Sequence, residues 1–122
     1  MSKPKAQGTY FETWMVKWLN RIADLAGTAK RLAEGGPNDD GDIAWMDYTG
    51  QPWVGECKAT QALNVTRALS KARVKSPYPD TTVLFWKRLT KSTPEAKRRT
   101  PDGEPVVVVM GLDTFHILMR DR

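Results

Sequence analysis

Apolar residues recur at helical spacing from Phe11 through Trp14, Met15, Trp18, Leu19 and Ile22 to Ala26, which predicts an amphipathic helix. Thr9, with Glu12 three residues on, has the form of a capping box, and Gly27 is a stop signal. Glu12 therefore has two readings: a structural cap, or a carboxylate at the edge of the buried stripe. Thr28–Ala33 predicts a short strand, broken by Gly35-Gly36-Pro37. Ile43–Tyr48 and Trp53–Ala59 flank a turn containing Gly50 and Pro52 and read as two antiparallel strands. Ala62–Val74 has helical periodicity, with Arg67, Lys71 and Lys75 opposite its apolar side, and Pro77 and Pro79 end it. Thr81–Trp86 predicts a buried strand that ends at Lys87-Arg88. Lys91–Glu104 reads as a polar loop, Pro105–Met110 as a fully buried strand, and Leu112–Met119 as a closing helix. The order αβββαββα predicts an α/β fold, a central mixed sheet flanked by helices.

At 122 residues, with 40% hydrophobic content and five tryptophans, the chain suits a single domain with one core. No apolar run reaches membrane-spanning length, and the first ten residues lack the apolar stretch of a signal peptide, so a cytoplasmic setting is expected. The single cysteine, Cys57, excludes an internal disulfide, and no zinc-binding spacing is present. Met1–Gln7, with Lys3 and Lys5, reads as a mobile basic arm. The one histidine, His116, lies among apolar neighbours in the sequence and reads as structural.

Charge changes the picture through its distribution. The net charge is +5, yet every charged residue from Glu34 to Asp47 is acidic, and those from Lys58 to Arg99 are basic except Asp80 and Glu95. An acidic patch inside a basic surround suits a metal-dependent enzyme acting on a polyanion, because the basic surface attracts phosphates while the carboxylates hold the metal. A protein that binds nucleic acid without cutting it has the same basic surface, so charge identifies the partner better than the reaction.

The candidate chemistry lies in Asn38–Lys58. Asp39, Asp40 and Asp42 precede the hairpin and Glu56-Cys57-Lys58 closes it. Alternate residues of a strand share a face, so Glu56 and Lys58 point one way and Cys57 the other. Folding the hairpin brings Asp42 toward Glu56 and Lys58. Carboxylates gathered in this way repel unless a cation or proton lies between them. Mg²⁺ favours such hard oxygen ligands, with water and substrate phosphate completing its shell. The plain alternative is a solvated acidic turn beside an exposed strand.

Asp42-Ile43, the hairpin and Glu56-Cys57-Lys58 resemble the signature of the PD-(D/E)xK nucleases, whose elements also begin with a helix. Within that superfamily the chain is most similar to the small archaeal- and phage-type Holliday junction resolvases, whose first helix opens with Gly-x-x-x-Glu, matched by Gly8-Thr-Tyr-Phe-Glu12. The likeness runs from about Gly8 to Arg88. Gly41 stands where the superfamily has proline, and Thr13 where those resolvases often carry arginine. The resemblance implies a restriction-endonuclease-like core and Mg²⁺, with Mn²⁺ as a substitute. It implies metal ligation by Asp42, Glu56 and the carbonyl of Cys57, a site lysine at Lys58, and a site carboxylate at Glu12. It also implies hydrolysis of four-way-junction DNA by a homodimer in the cytoplasm of a bacterium, an archaeon or a phage-infected host.

Candidate DNA contacts are Lys3 and Lys5 in the arm, Arg31 on the short strand, Arg67 and Lys71 on the second helix, and Lys87 and Arg88 after the buried strand. Lys97, Arg98 and Arg99 read either as a DNA-gripping finger or as a solubilising loop. The competing functions are another PD-(D/E)xK nuclease of repair, flap or restriction type, and a basic DNA-binding module without catalysis.

Overall fold

The computed structural model describes residues 3–32, 42–91, 93–99 and 106–120, with side chains from Tyr10 onward. The eight elements expected from the sequence are present in the expected order, joined by a 3-10 turn at Pro79–Thr81 and one further short helix. The helices are α1 (Lys3–Ile22), α2 (Val65–Lys75), α3 (Pro94–Arg98) and α4 (Leu112–Arg120). The strands are β1 (Lys30–Arg31), β2 (Asp42–Met46), β3 (Pro52–Thr60), β4 (Thr82–Arg88) and β5 (Val106–Val109). They form a mixed five-stranded sheet in the order β1-β2-β3-β4-β5. β3 and β4 are parallel and the other neighbours antiparallel. A parallel pair needs a crossover rather than a tight turn, and α2 supplies it.

The two faces of β3 separate core from chemistry. Trp53, Gly55 and Cys57 share one face with Val83 and Phe85 of β4, and Phe11, Met15 and Leu19 of α1 complete that core. The spacing of these three α1 residues, four apart, puts them on one side of the helix. Glu56 and Lys58 lie on the opposite face, where α2 packs against β4 through its buried residues Leu69 and Ala72. Asn64 caps α2, its side chain accepting a hydrogen bond from the Arg67 amide, as an N-cap asparagine does.

Several expectations are corrected. α1 begins at Lys3, so Lys3–Gln7 of the expected arm form its first turns, Met1 and Ser2 lie outside the described residues, and Thr9 lies within the helix rather than capping it. The predicted loop contains α3, capped by the Thr93 side chain with Pro94 at the start. β5 is not fully buried: it is an edge strand, and Val107 and Val108 are exposed. An alternating run of valines and a buried one look alike in sequence, and only the absence of a sixth neighbouring strand among the described residues separates them. His116 is exposed on α4, because that helix buries Thr114 and half-buries Ile117 and Leu118 instead.

Candidate metal centre

The hairpin turn sets the geometry of the site. The Asp47 amide donates to the Gln51 carbonyl and the Gly50 amide to the Asp47 carbonyl, both at 2.9 Å. Gly50 takes a φ of +89°, a conformation that glycine adopts without steric penalty. Asp47 Oδ1 accepts from the Thr49 and Gln51 amides at 2.9 and 3.1 Å, and Oδ2 from Trp53 Nε1 at 2.8 Å. From this turn the register runs Met46 to Pro52, Trp45 to Trp53, and finally Asp42 to Glu56. A slip of one residue would turn Glu56 into the core.

Asp42 and Glu56 are therefore direct partners across the ladder. Glu56 is 4% exposed. Burial, together with the adjacent Asp42 carboxyl, pushes its pKa up to about 8 against the opposing ammonium of Lys75. Asp42 Oδ1 and Glu56 Oε1 are buried with no hydrogen-bond partner. Lys75 Nζ is 2.9 Å from Glu56 Oε1, an ion pair without the angles of a hydrogen bond, and 3.9 Å from Asp42 Oδ2. Lys58 Nζ is 3.8 Å from Glu56 Oε2. The carboxylate pair is thus approached by two lysines, one from its own strand and one from the end of α2.

Lys75 is the residue that sequence reasoning left out. Its spacing of four from Lys71 places it on the basic side of α2, but the packing of α2 over the sheet decides which end of that side meets Glu56.

The remaining candidates divide clearly. Glu12 is buried and Oε1 accepts from Arg31 Nε at 2.9 Å, so the cap reading is replaced by an ion pair between buried Glu12 of α1 and exposed Arg31 of β1. That pair also engages Arg31, expected as a DNA contact. Among the described residues no three acidic, histidine or cysteine side chains form a metal-binding group, so Glu12 does not complete a three-carboxylate cluster. Cys57 is buried on the α1 face. Its thiol is held well above the usual range by burial and by the charges of Glu12, Glu56 and Asp42, so it stays protonated.

Lys87 is corrected outright as a DNA contact. It is 1% exposed, and Nζ donates to the carbonyls of Ala96 at 3.1 Å, Lys97 at 3.3 Å and Arg99. The lysine gathers the carbonyls at the end of α3 instead of reaching solvent. Arg67, Lys71, Arg88, Arg98 and Arg99 are exposed and Lys97 half-exposed. The side chains of Lys3 and Lys5, and all of Asp39 and Asp40, lie outside the described residues.

A cleft of about 640 Å³ lies between the end of α1, the hairpin and α4, walled by Trp18, Trp45, Trp53 and Phe85. No candidate site residue lines it, and its apolar wall offers no charged pair. The carboxylate pair lies on the other face of the sheet.

A hard divalent cation fits Asp42 and Glu56. Two buried oxygens without a hydrogen-bond donor are costly unless a cation or proton compensates them, and two carboxylates are what a Mg²⁺ site completed by water and phosphate uses. Compared with protein-family models, with curated proteins and with solved structures, the chain matches none. No described helix is long and apolar enough to cross a membrane.

Proposed function

We propose that this chain is a Mg²⁺-dependent DNA endonuclease of the PD-(D/E)xK type, with a restriction-endonuclease-like core, that cuts four-way junctions. The observation that carries the reading is the Asp42–Glu56 pair, in which one buried oxygen on each lacks a hydrogen-bond partner, with Lys58 at 3.8 Å from Glu56. Both carboxylates and the lysine fall at the positions of the superfamily signature. Mg²⁺ or Mn²⁺, when bound, supplies polarisation of the phosphate and a water of lowered pKa.

The chain's own groups do the rest. Asp42 and Glu56 would hold the cation, Glu56 in its ionised form. The Cys57 carbonyl, which the resemblance adds to the ligand set, lies one residue beyond the end of the β2–β3 ladder. Lys58, three-quarters shielded by its surroundings, offsets charge developing on the phosphate and orients the attacking water. Glu12 acts from behind the sheet by fixing Arg31. The exposed Arg67, Lys71 and Arg88, with Lys97 to Arg99, attract the DNA backbone by charge, in a salt-dependent way. Two symmetric cuts require two sites, so the acting species is a C₂ homodimer.

The test is cleavage of a four-way junction in Mg²⁺, compared with flap, splayed-arm, duplex and single-stranded DNA. Paired nicks at the junction, lost in Asp42→Asn and Lys58→Ala with DNA binding retained, are expected. Cutting of flaps or ends would keep the metal centre and change the substrate. Tight binding without cutting in Mg²⁺ or Mn²⁺ would leave the non-catalytic binding module.

A further inference from the structure

Lys75 has no place in the signature, yet it is the basic group nearest the carboxylate pair: its ammonium lies within 4 Å of both Asp42 and Glu56. It is the last residue of α2, and its side chain is half exposed. It therefore approaches from the solvent side of a pair whose buried oxygens, Asp42 Oδ1 and Glu56 Oε1, have no hydrogen-bond partner among the described residues.

We propose that Lys75 occupies the cation seat of the metal-free pair and is displaced when a divalent cation binds. The proposal rests on the metal-binding reading above. Two carboxyl groups facing each other in a shielded site need a proton or a positive neighbour beside their oxygens, and an ammonium on a flexible four-carbon stem is a compact point charge able to take that place. Being half exposed, the ion pair is weak and screened, so it yields to a doubly charged ion held by both carboxylates. The ammonium cannot stay, because at such distances it repels that ion strongly. Lys75 thus keeps the pair compensated in the absence of metal and lowers the affinity for metal. Lys75 ends α2 with its side chain half exposed, so the displaced ammonium can turn outward into water.

The experiment uses the full chain without DNA. Mg²⁺ is titrated at pH 9, where protons compete least for Glu56, and followed by calorimetry and by NMR of the backbone amides and of isotope-labelled lysine side chains. The Lys75 side-chain signal, identified by its absence in Lys75→Met, is expected to shift with the same midpoint as the Asp42 and Glu56 amides. Lys75→Met is expected to bind Mg²⁺ about fivefold more tightly, a coupling of ordinary size, while Lys75→Arg, which keeps the charge, stays near the wild-type value. Amide shifts at Asp42 and Glu56 with an unmoved Lys75 signal, and equal affinity in Lys75→Met, would overturn the proposal and leave the metal centre standing. No shift anywhere would overturn the metal centre and the proposal together.

Discussion

Asp42 and Glu56 face each other as register partners at the end of the β2–β3 ladder, and burial of Glu56, with the Asp42 carboxyl beside it, raises its pKa to about 8. The consequence for stability has a definite sign. Glu56 is raised in the folded chain, so the folded state retains a proton that the unfolded chain has already released above its ordinary pKa of 4.5. Its contribution is complete below about pH 4.5 and is lost as pH rises to about 8, with a slope of up to about 1.4 kcal/mol per pH unit. Urea melts of the metal-free chain across that window are expected to show the fall, and Glu56→Gln to flatten it.

Lys87 is a charge in the interior with its donors spent on carbonyls of α3. Removing it leaves those carbonyls without their donor, and Lys87→Ala is expected to destabilise the chain by roughly 3 kcal/mol. Hydrogen exchange should rise first at Pro94–Arg99. Its affinity for DNA, measured on the folded fraction, should stay within about twofold, since the group does not reach solvent.

Gly55 lies beneath the aromatic layer of the core face. A Cβ built there would meet Phe85 Cδ2 at 2.9 Å and Trp45 Cζ3 at 3.2 Å, with Phe85 Cε2 closer still. Phe85 is buried and tilted against Trp45 at a centroid distance of 5.9 Å, so a larger side chain at position 55 forces the two packed rings to shift. Gly55→Val is expected to cost about 1–3 kcal/mol or more through overpacking, read as a lower melting midpoint. Because Gly55 adjoins Glu56 on β3, the pair's alignment should loosen as well.

Asp47 ties the turn together through one carboxylate. Burial acts to raise its pKa, but hydrogen bonds from Thr49, Trp53 and Gln51 outweigh this and leave it lowered. A lowered pKa contributes stability that is present above the ordinary range of aspartate and lost as pH falls through the folded value. Asp47→Ala is expected to destabilise the hairpin by about 1–2 kcal/mol at neutral pH and to show less acid sensitivity below pH 4 than the wild type. The Trp53 fluorescence should change with it, since its indole loses an acceptor.

The order of the elements and the two faces of the hairpin were legible in the sequence, because periodicity and turn residues are local properties. Phe11, Met15 and Leu19 declare a helix stripe by their spacing. Gly50 and Pro52 declare a turn, and with it the approach of Asp42 to Glu56 and Lys58. Tertiary structure alone decided what those residues meet. Glu12 carries the marks of a cap, but the helix runs past it toward the N-terminus and the side chain reaches Arg31, nineteen positions away in sequence. Lys87 reads as a surface cation until α3 folds over it and presents its carbonyls. β5 reads as buried until it stands at the edge of the sheet. Lys75 reads as one more solvated lysine until the α2 crossover delivers its ammonium to Glu56. A side chain's chemical type and its local spacing are written in the chain, whereas its partner depends on contacts between elements far apart in sequence, which only packing creates.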